Sequence, residues 1–315
     1  MGGRPVLVYT GPPDAVRAVH AAGVFDVVAV PPERDALASA LVRATAFLDA
    51  SMKVRIDAAM IAAAPDLKVV TTATTGADHI DAVALTARGI PLMTLAGQIE
   101  VLSQLTAAAE HSWLLLMACA RQLRAAVGHV LEGGWNRVEF PGLMLRNRRL
   151  GLVGCGRIGQ CMARYGRAFD MDVVGVDPAI DPWPEGLTRI DLEGLFETSD
   201  CISVHVPLND ATRGLVSAPL LARVRPGAII VNTSRGEIVD EAALLHGLRA
   251  GRIGAAGLDV LTGEPDIADH PLRAYARAHD NLVITPHIGG FSPDAVAIAV
   301  EFAARRAAAH LGLIA

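Results

Sequence analysis

Aromatic residues are scarce: they make up 4% of the 315 positions, although 52% of the chain is hydrophobic. A core made from this composition is mainly aliphatic, and the length suffices for one large or two medium domains. Cysteine is scarce as well. Cys119, Cys155, Cys161 and Cys201 include no C-x-x-C pair and no zinc-type Cys/His cluster. Reduced thiols in a cytosolic protein are the simplest reading. Basic excess is missing, with 28 Lys and Arg against 33 Asp and Glu and a formal charge of −5. That removes the electrostatic footprint expected of a nucleic-acid binder and the polybasic segment expected at an anionic membrane. Long apolar runs are missing too. The most membrane-like stretch, SWLLLMACA at 112–120, is bounded by Glu110, His111 and Arg121 and is far too short to span a bilayer. The N-terminus, MGGRPVLVYTGPPD, lacks a signal-peptide profile and reads as a first strand, so residence in the cytoplasm is expected.

What is present is alternation. PVLVY, DVVAV, LKVVTTA and IPLMTL read as strands in the first third, with DAVRAVHAAG, RIDAAMIAAA and DAVALTARG as helices between them. Continuous apolar strands separated by helices imply parallel sheets with crossover connections. A longer helical pattern over roughly 100–132 ends at GGWNRVEFPG, whose Gly-Gly and Pro-Gly pairs punctuate the chain. Six further strands follow: LGLVG, VVGVD, CISVHV, GAIIVNTS, AAGLDV and LVITP. An amphipathic helix over about 295–310 closes the chain. Two αβ lobes are expected, the second with the strand number of a complete dinucleotide-binding domain.

Gly154-Cys155-Gly156-Arg157-Ile158-Gly159 is a G-x-G-x-x-G loop after an apolar strand, and it opens the helical pattern QCMARYGRAF. In that setting the glycines serve a tight turn, close approach to a pyrophosphate and close helix–strand packing. The helix start offers unpaired N–H groups to phosphate. Asp177 ends the next strand, where a carboxylate can accept hydrogen bonds from the adenine-ribose hydroxyls and repel a 2′-phosphate. Pro178 follows, and no arginine appears before Arg189. NAD is therefore expected rather than NADP.

Downstream come SDCISVHVPLNDATRGLV, GAIIVNTSRGEIVDEAALLHGL, IGAAGLDVLTGEP and NLVITPHIGG; upstream come LKVVTTATTGADHIDAVALTARGIPLM and TAAAEHS. In this order and spacing the chain resembles the D-isomer-specific 2-hydroxyacid dehydrogenase family over nearly its whole length, with the phosphoglycerate-dehydrogenase-like branch the nearest in pattern. The resemblance implies an α/β fold in which a Rossmann dinucleotide-binding domain is inserted into a smaller flavodoxin-like substrate domain. Residues 1–99 plus 289–315 would form the substrate domain and 100–288 the NAD-binding domain. A hinge between them would close over substrate and exclude water.

The resemblance also implies site residues. Arg235 in NTSRG matches the substrate-binding arginine, whose planar fork suits a 2-oxo acid. His287 in PHIGG matches the acid/base histidine, and Glu264 in GEP its carboxylate partner. Taken singly, each has a bland reading: a surface charge, a turn, a strand-end histidine. Together at family spacing, each at the carboxyl end of an expected strand, they point to hydride-transfer chemistry. Val206, Pro207 and Thr212 match the loop over adenine and ribose. Thr233, Ser234, Asp259 and Gly289 fall in motifs near the nicotinamide end. Thr75 and Gly76 sit where family backbone amides grip the substrate carboxylate. His79 and His111 read as structural, and Trp113 and Trp135 fall in the stretch resembling a dimerisation arm, so a homodimer is expected.

Departures from the pattern touch pocket shape: Thr94, Ala96-Gly97, Ala108 and Leu261. Glu264 argues against the formate-oxidising branch, and the C-terminal regulatory domain of some phosphoglycerate dehydrogenases is expected to be absent. The substrate stays open among phosphorylated, phosphonate-bearing and unmodified 2-hydroxy acids. A NAD(H)-sensing, corepressor-like binding protein of the same fold is the competing reading.

Overall fold

The carboxyl ends of two parallel sheets set the positions of the residues singled out above. The computed structural model describes residues 3–314. The first sheet holds β1 (Val6–Thr10), β2 (Asp26–Val30), β3 (Ala46–Asp49), β4 (Val69–Thr72) and β5 (Leu92–Met93). It is parallel throughout, in the order β2-β1-β3-β4-β5, which is the flavodoxin-like winding. β3 and the helix Arg34–Leu41 escaped the sequence reading. β3 is four residues long and buried along its whole length, so neither alternation nor length marked it. The closing helix, Pro293–His310, lays Val300, Ala303, Ala304 and Ala307 against Leu7, Tyr9 and Leu48. The small alanines allow the helix to approach the sheet closely.

The second sheet holds β6 (Arg149–Val153), β7 (Asp172–Val176), β8 (Thr188–Arg189), β9 (Cys201–Val204), β10 (Ala228–Asn232), β11 (Ile253–Leu258) and β12 (Leu282–Ile284). Its order, β12-β11-β10-β9-β6-β7-β8, is the Rossmann winding with one strand added at the far edge. Where six strands were expected there are seven, because β8 is an exposed two-residue edge strand. The helical stretch expected at 100–132 is three helices, Ile99–Leu102, Ala107–Ala120 and Leu123–Leu131. Gln122, at φ +48°, is left-handed and breaks the last two apart.

By its internal contacts the chain divides into Met1–Leu105 with Phe291–Ala315, and Thr106–Gly290. The sequence boundaries were 99/100 and 288/289. The helix Ile99–Leu102 stays with the first unit because Val101 is buried with Leu95 and Ala299. Among the described residues no single helix is long and apolar enough to cross a membrane.

Strand register in the second unit has a consequence for the site. Val176 pairs Val153, Val153 pairs Val204, Val204 pairs Asn232, Asn232 pairs Leu258, and Leu258 pairs Ile284. The next residue on each strand therefore stands at one level along the carboxyl edge: Asp177, Gly154, His205, Thr233, Asp259 and Thr285. Motifs far apart in sequence become a single row, at the edge where open αβ sheets bind ligands.

Candidate active site

The β6 end of this row is shaped for close backbone approach. Gly154 has φ +94°, and a Cβ there would lie 2.5 Å from the His205 carbonyl oxygen. A Cβ on Gly159 would lie 2.2 Å from the Gly154 oxygen. Gly156 differs, since its Cβ would meet nothing within 4 Å. It caps the helix Arg157–Ala168, whose first N–H groups open onto that space. Ile158 packs into the core below, and burial pulls the Arg157 guanidinium below its ordinary pKa. Asp177 accepts the Cys155 N–H at 2.9 Å on one carboxylate oxygen and the Ala179 N–H at 2.9 Å on the other. Pro178 is exposed beside it. In the loop after β9, the Thr212 hydroxyl accepts the Asn209 N–H at 2.9 Å and donates to the Pro207 carbonyl at 2.5 Å. That stapling leaves Val206 partly buried against the core.

At the other end, the loop after β10 carries Arg235. Asn232 organises it: its side-chain oxygen accepts the Ser234 N–H at 3.0 Å and its amide donates to the Arg235 carbonyl at 2.8 Å. Ser234 Oγ donates to the Val204 carbonyl at 2.8 Å, tying the loop to β9. Arg235 Nη1 donates to the Ser234 carbonyl at 2.7 Å. Gly236 then touches the loop after β11, where a Cβ would sit 2.1 Å from Thr262 N and 2.3 Å from Leu261 C. Glycine is what lets the arginine loop and the glutamate loop lie side by side.

Of the expected trio, Glu264 and His287 are in direct contact. Glu264 Oε1 lies 2.6 Å from His287 Nδ1, and its Oε2 accepts the Leu261 N–H at 3.3 Å. Both side chains are about one-third exposed, at 30% and 32%. With Nδ1 engaged, Nε2 is the ring atom left to exchange a proton with a substrate. His287 is itself left-handed, at φ +54°, an uncommon conformation for a residue with a Cβ.

Asp259 accounts for that conformation. Its carbonyl accepts the His287 N–H at 2.8 Å. Its carboxylate, 1% exposed, accepts the Ile288 N–H at 2.9 Å and Thr285 Oγ1–H at 2.6 Å on one oxygen, and the Gly289 N–H at 2.7 Å on the other. Asp259 and Gly289, expected near the nicotinamide, thus engage each other. Thr233 bonds Ser112 at 2.7 Å.

Thr75 and Gly76 belong to the first unit, in the loop after β4. The Thr74 hydroxyl donates to the Gly76 carbonyl at 2.7 Å, and Thr75 is exposed. In the same unit His79 Nε2 pairs with the buried Asp49 at 2.5 Å, consistent with a structural role for that histidine.

Sequence reasoning passed over Thr285, Ser112, His205 and Asn232. Three of these had a usable signal: Asn232, His205 and Thr285 end or follow strands whose neighbours in the sheet end in chosen residues. Ser112, on a helix, had none.

Residues 113–289 match the family model described as "D-isomer specific 2-hydroxyacid dehydrogenase, NAD binding domain". The chain is 40% identical over 267 residues to D-3-phosphoglycerate dehydrogenase of Mycobacterium tuberculosis, covering 84% of this chain and 48% of that protein. It is 36% identical over 241 residues to hydroxypyruvate reductase of Thermotoga maritima, covering 76% of each. The solved TT0316 protein of Thermus thermophilus superposes with a TM-score of 0.82 at 33% identity, covering 95% of this chain and 94% of that one. The chain spans about half the length of the phosphoglycerate dehydrogenases it matches.

Proposed function

Because this chain belongs to the D-isomer specific 2-hydroxyacid dehydrogenase family, we propose that it is an NAD-dependent D-2-hydroxyacid dehydrogenase, equally a 2-oxoacid reductase. The observation that carries this reading is the 2.6 Å contact between Glu264 and His287 on the carboxyl edge of a Rossmann sheet. The open space at Gly156, beside a twelve-residue helix start, fits a pyrophosphate. The half-buried Arg157 would regain there the charge stabilisation that burial removes. The Asp177 carboxylate suits ribose hydroxyls and opposes a 2′-phosphate, which supports NAD.

When bound, the reduced coenzyme supplies the hydride that reaches the substrate's carbonyl carbon. His287 donates the proton from Nε2 to the carbonyl oxygen, and in oxidation it takes that proton back. Glu264 holds the ring in the tautomer and orientation this requires and offsets the imidazolium charge. Arg235 presents a planar fork to the substrate carboxylate and steadies the developing alkoxide. For Thr75 and Gly76, in the loop after β4 of the first unit, the proposed role is to bind substrate through their backbone amides. The relatives' names favour a three-carbon 2-hydroxy acid, phosphorylated or not.

Self-association is part of the proposal. Leu131, Trp135, Val138 and Met144 are 82%, 91%, 78% and 73% exposed along one stretch of chain. An apolar surface of this kind supports a homodimer. The four cysteines are unbridged, which supports a reducing compartment such as the cytoplasm.

The test is NADH oxidation with hydroxypyruvate, glyoxylate, 3-phosphohydroxypyruvate and phosphonopyruvate, repeated with NADPH. One clear substrate with NADH is expected. Silence across the panel from a protein that still binds NADH would overturn the enzyme reading.

A further inference from the structure

His111 and Ser112 are adjacent on the first turns of the helix Ala107–Ala120, and each bonds to one of the two catalytic loops. His111 Nε2 lies 2.9 Å from Thr285 Oγ1 and 3.3 Å from Asp259 Oδ1. Ser112 Oγ lies 2.7 Å from Thr233 Oγ1. Thr285 stands two residues before His287, and Thr233 two residues before Arg235. The strand register puts Thr233, Asp259 and Thr285 at one level on three adjacent strands.

The donor directions follow from counting protons. Thr285 has one hydroxyl proton, and it goes to Asp259 Oδ1 at 2.6 Å. Toward Thr285, His111 Nε2 is therefore the donor, which fixes its tautomer. Ser112 gives its only proton to the Ala108 carbonyl at 2.7 Å. Thr233 is therefore the donor to Ser112. Both bonds thus have a definite sense, and Ser112 and Asp259 are 0% and 1% exposed. Breaking either bond would take a partner from a part-buried donor, His111 Nε2 or the Thr233 hydroxyl, which is what makes each an effective constraint. The helix also lies close against the same strand and loop. A Cβ on Gly257 would come within 2.9 Å of Leu115 Cβ, and one on Gly289 within 3.8 Å of the Ala108 Cα.

We infer that His111 and Ser112 are positioning residues, which set the loops of His287 and Arg235 at one level by bonding their Thr285 and Thr233 anchors. The roles divide. His111 acts through Thr285 and Asp259 on the loop that transfers the proton. Ser112 acts through Thr233 on the loop that holds the substrate carboxylate. This rests on the dehydrogenase reading for its kinetic consequences, while its structural consequence does not depend on turnover.

The experiment pairs two readouts. Amide hydrogen exchange at Ile288 and Gly289, whose N–H groups Asp259 accepts, is compared in wild type, His111→Ala and His111→Gln. Exchange about tenfold faster in His111→Ala is expected, with much of the protection restored by the amide donor of His111→Gln. Steady-state kinetics then follow on the best substrate. His111→Ala should lower kcat about tenfold with the KM for NADH unchanged, and Thr285→Val added to it should cost little more. Ser112→Ala should instead raise the KM for the 2-oxo acid. Unchanged exchange at 288 and 289 in both His111 variants would overturn the inference, as would multiplicative losses in the His111/Thr285 pair. A wild-type protein without turnover would sink the dehydrogenase reading, and the exchange comparison would still decide the positioning role.

Discussion

Glu264 Oε1 stands 2.6 Å from Nδ1 of His287, and it does so because His287 is held left-handed at φ +54° by the Asp259 carbonyl. With Nδ1 bonded to the carboxylate, Nε2 is the ring nitrogen left to exchange a proton. Replacing His287 with Ala is expected to lower kcat by about 10²–10⁴, the range for loss of a general acid. Glu264→Gln keeps a hydrogen-bond acceptor but removes the charge, so its loss in kcat should be smaller. NADH affinity, measured by fluorescence quenching, should be nearly unchanged in both. Near-wild-type turnover in His287→Ala would remove the histidine from the mechanism.

Gly236 offers a second test, aimed at loop spacing and not at charge. Any side chain there meets backbone: Thr262 N at 2.1 Å and Leu261 C at 2.3 Å. Backbone cannot swing aside as a flexible side chain can. Gly236→Ala should therefore push apart the loops that carry Arg235 and Glu264. A stability loss of about 1–3 kcal/mol is expected, typical of overpacking, together with a fall in kcat/KM. Urea denaturation beside initial-rate kinetics measures both. A variant as stable and as active as wild type would mean the two loops tolerate separation.

The parts of the fold that follow from periodicity and punctuation were legible in the sequence. The glycine loop, the strand ends carrying Arg235 and His287, and the closing helix all stand where the residues pointed. β3 and β8 were not legible, since four buried residues and two exposed ones give too little pattern to distinguish. The break at Gln122 was hidden because a non-glycine residue adopts the left-handed turn. Asp259 shows a different limit. Its motif marked it as a site residue, while the amides its buried carboxylate meets, those of Ile288 and Gly289, depend on which backbone the fold brings to it. Those donors are about 30 residues away in sequence and adjacent only through the pairing of β11 with β12.

Coenzyme choice can be tested at Asp177. Its carboxylate binds the backbone N–H groups of Cys155 and Ala179, both at 2.9 Å, so it also braces the glycine loop. Asp177→Asn keeps an acceptor for one of these two bonds while deleting the charge that opposes a 2′-phosphate. The ratio of kcat/KM for NADPH to that for NADH should rise at least about tenfold, equivalent to about 1.4 kcal/mol. Asp177→Ala should raise the ratio too, but lower both absolute values by loosening the loop. A ratio unmoved in either variant would place the discrimination elsewhere.

His205 makes a prediction about pH. It stands in the row between Gly154 and Thr233, with Nε2 2.8 Å from Ser203 Oγ, and Nδ1 is buried without a hydrogen-bond partner among the described residues. Burial pushes its pKa down from 6.5 to about 3. Between those values the unfolded chain binds a proton that the folded chain refuses. The unfolded state then holds more protons, so stability rises with pH across this window. The contribution of His205 is thus fully present above about 6.5 and drains as the pH falls toward 3, at up to about 1.4 kcal/mol per pH unit. Urea unfolding at pH 7.5 and pH 5.0 should show a drop that His205→Gln reduces by about 2 kcal/mol, since the glutamine does not titrate. An equal drop in the variant would mean that other groups carry the acid sensitivity, and that the His205 imidazole takes up its proton in the folded state.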